Sequence, residues 1–222
     1  MGNWLWANSF TTVVNGSGEF SSALVAQLDN AGDVIITGTF NGETEFGGSV
    51  LNVSSTQIFV AKYDGRNGVL NWAINSAGIG RNMVLDMAVT PSGGVKISTL
   101  TDGFVQWSSS NYMPVGTYDA VIVELDSNGG VLSLQGIGAS NQQTAVTSIT
   151  VDSSGDTYLA GSFGGTISSG GWTATAIYGA NDVFVARNAV STSNSWVFVS
   201  GSSDYDQPQA LVVTSSGLVI FS

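Results

Sequence analysis

The chain has 222 residues, of which 43% are hydrophobic and only 9% are charged, and its formal net charge is −11. Cys and His are both absent, which excludes disulfides, a Cys nucleophile, a Ser-His-Asp triad and a His-based zinc site within these residues. The five basic residues are scattered, so neither a nucleic-acid interface nor attraction to an anionic membrane is expected. No apolar run approaches the length of a membrane-spanning helix.

Short segments rich in Val, Ile, Phe and Tyr, bounded by Gly, Asn, Asp and Ser, predict β-strands along the whole chain, and no segment has helical periodicity. We name the four strands of a recurring unit A to D. In chain order, the sequence predicts a lone D-type strand (Trp4–Ser9) in residues 1–9, units over residues 10–76, 77–137 and 138–200, and a partial unit over 201–222. The predicted A strands are Ala26–Leu28, Met87–Val89, Ile149–Val151 and Leu211–Val213, and the B strands are Val34–Phe40, Val95–Thr99, Thr157–Phe163 and Leu218–Phe221. The predicted C strands are Ile58–Tyr63, Ala120–Leu125 and Val183–Arg187, and the D strands are Leu70–Ile74, Val131–Gln135 and Ser195–Val199.

The units recur at a nearly constant spacing of 61 or 62 residues, which is seen best in the glycines of the A–B turns, Gly32, Gly93, Gly155 and Gly217. The motifs IFVAKYD, AVIVELD and VFVARNA recur at nearly the same spacing. They are followed by Trp72, Leu134 and Trp196, which are 62 residues apart. Such a period indicates an array of one supersecondary unit. The sequence therefore predicts one repeat domain over residues 1–222, an all-β propeller or propeller segment of about 3.5 four-stranded antiparallel units. We expect Trp6, Trp72 and Trp196 to pack between neighbouring units.

The predicted strand order leaves incomplete units at both ends of the chain. The sequence opens on a D-type strand and stops after an A–B pair, so that the C strand of the last unit is missing. Strand edges left unpaired invite pairing. We therefore expect the array to continue in further sequence or to be completed by a second copy.

Several of these motifs resemble the bacterial SBBP-type β-propeller repeat family. The matching segments are VDSSGDTYLAGSF, LDNAGDVIITGTF, QIFVAKYDGRNGVLNWA and DVFVAR, and the resemblance covers almost the whole chain. The second unit departs most, because VTPSGGVKISTL lacks both the Asp and the G-x-F motif. The resemblance implies a propeller in a large secreted or surface protein, and it implies no common chemistry.

The predicted loops differ in length between the two ends of each unit. The A–B and C–D turns are short, whereas the B–C connections Asn41–Thr56, Thr101–Tyr118 and Gly164–Asn181 are long. Long loops on a rigid scaffold commonly bind ligands. Five of the aromatic residues in these loops are candidates either to contact a sugar or protein partner or to cap the core between units: Phe46, Trp107, Tyr112, Trp172 and Tyr178.

Acidic residues offer two further interpretations. Asp29, Asp64, Asp126 and Asp152 begin tight turns, where their side chains fold back onto turn amides or, alternatively, help to bind calcium. Glycoside hydrolysis needs two carboxylates about 5–10 Å apart. Candidates on the long-loop side are Glu43, Glu45, Asp86, Asp102, Asp204 and Asp206, although no pattern singles out a pair.

These observations favour a non-catalytic extracellular or cell-surface module for binding, adhesion or assembly through its long-loop face. Its partners would be a protein or carbohydrate surface or further copies of itself, and it would need no cofactor, with calcium as the alternative noted above. The abundance of Ser, Thr, Asn and Gly, together with few Lys and no thiol, favours an exported protein. The alternatives are a propeller enzyme that acts on polysaccharide with a carboxylate pair, and a structural subunit of an extracellular filament or coat.

Overall fold

The computed structural model describes residues 5–13, 19–178, 181–214 and 219–221. In these ranges the regular structure consists of antiparallel β-strands and one 3₁₀ turn, Thr192–Asn194. The predicted all-β class is therefore confirmed. None of the described residues belongs to a helix that is long and apolar enough to span a membrane.

The first sheet is built from consecutive strands that pair in the order β2-β3-β4-β5, while β1 pairs with the far half of β3. Its strands are β1 (Phe10–Val13), β2 (Phe20–Leu28), β3 (Val34–Phe46), β4 (Ser49–Tyr63) and β5 (Leu70–Asn75). The long β3 and β4 continue past the sheet as a two-stranded ribbon, since their pairing extends from Val34 with Tyr63 to Phe46 with Ser49.

The second and third sheets have the same meander order, β7-β8-β11-β12 and β13-β14-β17-β18. After β5 the chain continues with β6 (Ala77–Gly78), β7 (Asn82–Val89), β8 (Val95–Thr101), β9 (Val105–Trp107), β10 (Ser110–Tyr112), β11 (Asp119–Leu125) and β12 (Val131–Ile137). Of these, β6, β9 and β10 form a small separate sheet. The remaining strands are β13 (Thr144–Val151), β14 (Thr157–Phe163), β15 (Thr166–Ser169), β16 (Trp172–Thr175), β17 (Asp182–Asn188), β18 (Trp196–Ser200), β19 (Leu211–Val213) and β20 (Val219–Phe221). The last two form an antiparallel hairpin.

The first strand of each of the three sheets carries a β-bulge at a similar place. The pairing register shifts between Ala23 and Val25 in β2, and in β7 and β13 it shifts at the corresponding positions, Val84/Asp86 and Val146/Ser148. A bulge increases the local twist of a strand. The three sheets therefore share a local distortion as well as a strand order.

Two of the hydrophobic cores lie between neighbouring four-stranded sheets. Ile58 and Val60 of the first sheet pack with Val121 and Val123 of the second. On its other face, the second sheet packs Ile122 against the third sheet. Because side chains alternate across a strand, each four-stranded sheet can contribute to the core on both of its faces.

Hydrogen bonds between sheets join residues that are about one unit apart in sequence. The Gln27 side chain donates to the Met87 carbonyl at 2.7 Å, across 60 residues. Ser148 donates to Asp86 at 3.0 Å across 62 residues, and Thr147 donates to the Pro208 carbonyl at 2.9 Å across 61. The first strands of successive sheets are thus neighbours, which brings β2, β7, β13 and β19 together along one side of the molecule.

Two predictions about local structure are wrong. Trp4 lies outside the described residues, and residues 5–9 form no strand. Trp6 and Asn8 donate side-chain hydrogen bonds to the carbonyls of Gly65 and Gly68. The long B–C connections are also not loops.

Each B–C connection contains a β-hairpin: β3–β4, β9–β10 and β15–β16. Tight two-residue turns explain why these segments pair. Gly47 and Gly48 have φ of +57° and +95°, and Gly170 and Gly171 have φ of +51° and +92°. These are values that glycine adopts without strain and that suit a hairpin turn.

Candidate functional site

The aromatic residues of the B–C hairpins are mostly core residues. Phe46, Trp107 and Trp172 are buried, and each sits beside a two-residue hairpin turn, paired across it with a serine. Phe46 stacks on Phe10 with ring centroids 5.6 Å apart, and Trp172 lies 5.8 Å from Phe184. The hairpins fold these three rings against the sheets, so none of the three presents an exposed surface to a partner in this structure.

The other two predicted contact residues, Tyr112 and Tyr178, differ from each other. Tyr112 is half-buried and donates its hydroxyl hydrogen bond to Asp119 Oδ2 at 2.6 Å. Burial, followed by the nearby Asp119 carboxylate, raises the pKa of the Tyr112 phenol. Tyr178 is 51% exposed and is the one of the five predicted contact residues that presents a large exposed surface.

The turn glycines within the described ranges occupy the same place in three hairpins. Gly32, Gly93 and Gly155 have φ of +83°, +79° and +88°, and each donates its amide to the residue three positions earlier. A positive φ favours glycine because a Cβ strains this conformation. Gly217 lies outside the described residues.

The turn aspartates are used by the turns themselves. Asp29 accepts the amides of Ala31 and Asp33, and Asp152 accepts those of Ser154 and Asp156. Asp126 likewise accepts two turn amides, and Asp64 accepts the Arg66 amide at 2.8 Å. The side-chain-to-turn interpretation explains these four carboxylates. Among the described residues, no group of three or more Asp or Glu side chains could hold a metal ion.

Two tryptophans make the same contact with the turn between the third and fourth strands of a neighbouring sheet. Trp72 of the first sheet donates its indole N–H to the Ser127 carbonyl at 3.1 Å, and a Cβ on Gly129 would lie 3.0 Å from its ring. Trp6 donates to the Gly65 carbonyl at 2.8 Å, and a Cβ on Gly68 would lie 2.7 Å from its ring. In both cases a glycine gives the ring room to lie against the turn. We call this contact the indole–turn contact.

Strand register identifies the positions equivalent to Trp72 in the other sheets. Lys62 of β4 is opposite Trp72, and in the third sheet Arg187 is opposite Trp196. In the second sheet, however, Glu124 is opposite Ser133. The expected equivalence of Leu134 with Trp72 is therefore wrong.

The error has a simple cause in the turns. The third-to-fourth-strand turn of the first sheet is one residue longer than that of the second, and a shift of one residue moves a side chain to the opposite face. Leu134 consequently packs with Trp72 in the core between the first and second sheets. No sequence spacing marks Ser133, and only the register reveals its position.

Trp196 lies on the outer face of the third sheet, away from the second. It is half-buried, its ring lies 6.3 Å from Tyr158, and it packs beside Leu211 of the β19–β20 hairpin. Its indole N–H donates to no acceptor within the described ranges. Phe198 follows Trp196 by two positions, lies on the same face of the strand and is 53% exposed. Its counterpart in the first sheet, Ile74, follows Trp72 by two positions and packs in the core between the first and second sheets.

Four of the five basic side chains form ion pairs within the molecule: Lys62, Arg66, Lys96 and Arg187. The pair of Lys62 with Asp29 is buried, with Nζ 2.6 Å from Oδ2. Burial disfavours both charged forms, but their mutual hydrogen bond and attraction outweigh it, so that the pKa of Asp29 is lowered and that of Lys62 is raised. These four cations therefore serve the fold.

Four of the six acidic residues considered for hydrolysis accept local hydrogen bonds: Glu43, Asp86, Asp102 and Asp206. Asp86 accepts the Ser148 hydroxyl and the Ile149 amide, and Asp102 accepts the Arg81 amide at 2.6 Å. Asp206 accepts the Ser202 amide. Glu43 and Glu45 lie on the ribbon of β3, where Asn52 donates to Glu43 at 3.3 Å. None of these contacts forms a carboxylate pair.

Comparison with models of known protein families gives no match, and no curated protein matches the chain significantly. The resemblance to the SBBP repeat family therefore stays a prediction.

Proposed function

We propose that this chain is a β-propeller segment of the SBBP type that acts as a non-catalytic extracellular assembly module. Sheets of a single meander order, stacked face to face with their first strands adjacent, are the arrangement that propeller blades use. The hydrogen bonds that span about one unit in sequence support this arrangement. The composition, rich in Ser, Thr, Asn and Gly and without thiols, supports an exported protein.

The proposed assembly surface is the outer face of the third sheet. Trp196 and Phe198 occupy the positions at which Trp72 and Ile74 of the first sheet hold the second sheet. Phe198 is 53% exposed, and large aromatic side chains dominate the energetics of protein interfaces. The β19–β20 hairpin already packs on part of this face, beside Trp196. We infer that the part of the face that the hairpin leaves exposed docks further strands, supplied by a second copy of the chain, through the indole–turn contact.

Light scattering coupled to gel filtration tests this function. We expect the 222-residue chain to have a mass above that of one chain, with the larger species growing as concentration rises. Phe198→Asp should shift the distribution to monomer, because a desolvated carboxylate at the centre of an interface is costly.

The matched control is Tyr178→Asp, which places the same charge on a comparably exposed aromatic residue of a B–C connection. This variant should associate like the wild type. A wild-type chain that is monomeric at every concentration, or a Tyr178→Asp variant that dissociates as completely as Phe198→Asp, would contradict the proposal.

A further inference from the structure

Ser133 occupies a position that the first sheet gives to a tryptophan. Lys62 is opposite Trp72 in the first sheet, and Glu124 is opposite Ser133 in the second. The indole of Trp72 lies against the second sheet and donates to the Ser127 carbonyl. The corresponding junction between the second and third sheets has only a hydroxymethyl side chain in that place, so it lacks the volume of an indole.

A cavity of about 200 Å³ lies at this junction. Ser133 and Gln135 border it from the second sheet and are exposed, so the cavity opens to solvent on that side. Ile122 and Leu159 contribute apolar surface from the two facing sheets, and both are buried. An apolar cavity of about 150 Å³ is large enough for benzene, so this one is large enough for one small aromatic ring system.

The charges around the cavity are balanced. Its two charged lining residues are Lys96 and Glu124, whose Nζ and Oε2 atoms are 3.5 Å apart. Lys96 also donates to the Thr157 hydroxyl at 2.9 Å, and Ser133 donates to Glu124 at 3.2 Å. With one cation paired to one anion, the site favours an uncharged ligand.

The third sheet also supplies a backbone acceptor at the equivalent place. Gly65, whose carbonyl accepts the indole of Trp6, donates its own amide to Asp33 at 3.2 Å. Val190 donates its amide to Asp156 at 2.7 Å in the same arrangement, and Val190 lines the cavity. The Val190 carbonyl therefore corresponds in position to the carbonyls that accept the Trp6 and Trp72 indoles, whereas the turn that follows it, residues 191–195, has no glycine.

We propose that the cavity between the second and third sheets binds a small, neutral, planar aromatic molecule that carries an N–H donor. The ring occupies the space that an indole fills at the preceding junction, between Ser133 and Val190, and its N–H donates to the Val190 carbonyl. This site is separate from the outer face of the third sheet and does not depend on the proposed assembly.

Indole itself is the probe for the test. Titration calorimetry should give saturable binding of one indole per chain, and amide NMR shifts on titration should be largest at Ser133, Gly155 and Val190. Benzofuran, which has nearly the same shape but no N–H to donate, should bind about tenfold more weakly, as expected for the loss of one hydrogen bond. Absence of saturation, amide shifts at other places, or equal affinity for the two compounds would overturn the proposal.

Two tryptophan substitutions on the same strand provide matched variants. Ser133→Trp should fill the cavity with its own ring, raise the melting temperature and abolish indole binding. Leu132→Trp, at an exposed neighbouring position that does not line the cavity, should bind indole like the wild type. Undiminished binding to a folded Ser133→Trp variant would refute the assignment of the site, and the NMR titration of the wild type tests it even if that variant fails to fold.

Discussion

Replacing Lys62 by Met tests the buried ion pair of the first sheet. Lys62 Nζ is 2.6 Å from Asp29 Oδ2 and 3.4 Å from Asp33 Oδ2, and the Lys62 and Asp29 side chains are only 8% and 3% exposed. Methionine keeps much of the apolar stem and removes the cation. The substitution therefore leaves the Asp29 carboxylate buried without its counter-charge.

The expected cost follows from what Asp29 retains. Removing one partner of a buried ion pair costs about 3–5 kcal/mol. Asp29 Oδ1 still accepts two turn amides, at 2.8 and 2.9 Å, which compensate part of the lost interaction. We therefore expect about 3 kcal/mol at pH 7, which corresponds to a decrease in Tm of about 6–12 °C for a chain of this size.

The cost should depend on pH in a defined way. The pKa of Asp29 is lowered in the folded state, so its contribution is present above the unfolded value of about 3.9 and is lost as pH falls through the folded value. The pKa of Lys62 is raised, so its contribution is present below about 10.4 and is lost as pH rises through the folded value. The difference between wild type and variant should thus be largest between these limits.

Urea unfolding followed by tryptophan fluorescence at several pH values measures this difference. The double variant Asp29→Asn/Lys62→Met should recover part of the loss, since it leaves no uncompensated buried charge. Arg66→Met is the matched control: it breaks an ion pair whose arginine is 89% exposed, and it should leave stability unchanged. A Lys62→Met cost below about 1 kcal/mol, or one that does not vary with pH, would refute the reasoning.

Two further substitutions test the packing between and beside the sheets. Trp72→Ala should cost about 3 kcal/mol in unfolding free energy, because it removes the ring from the indole–turn contact. Trp72→Phe should cost about 1–2 kcal/mol, because it keeps a ring but loses the N–H donor to Ser127. An unchanged Tm for the Ala variant would count against the contact. Tyr112→Phe removes a donor to the buried Asp119 and should cost about 1–2 kcal/mol. Alkaline spectrophotometric titration should also show that this variant has lost one tyrosine that ionises late, since the pKa of Tyr112 is raised; an unaltered titration curve would be evidence against that environment.

The strand pattern and the turn residues were readable from the sequence because both depend on local chemistry. Gly32, Gly93 and Gly155 have positive φ in tight hairpins, which is a requirement of the turn itself. Register was not readable, because one extra residue in a turn reverses the face of every following side chain. Leu134 was therefore matched to Trp72 when Ser133 holds that position.

The exposure of aromatic residues was not readable either. Phe46, Trp107 and Trp172 stand in segments that look like polar loops in sequence, but hairpin pairing folds each ring against a sheet. Whether such a ring faces solvent depends on where a distant sheet lies, which periodicity alone does not encode. The candidate surface therefore lies on the outer face of the third sheet, around the exposed Phe198.

The placement of the cores between sheets has a consequence for how the molecule unfolds. The second sheet shares apolar side chains with both of its neighbours, through Val121 on one face and Ile122 on the other. Unfolding it would therefore forfeit two interfaces at once, so its free energy of local opening should exceed that of a sheet held on one face. Cooperativity in such a stack is a nearest-neighbour property. Native-state hydrogen exchange should therefore follow a gradient, with the slowest amides in β8 and β11 and progressively faster exchange outward from them.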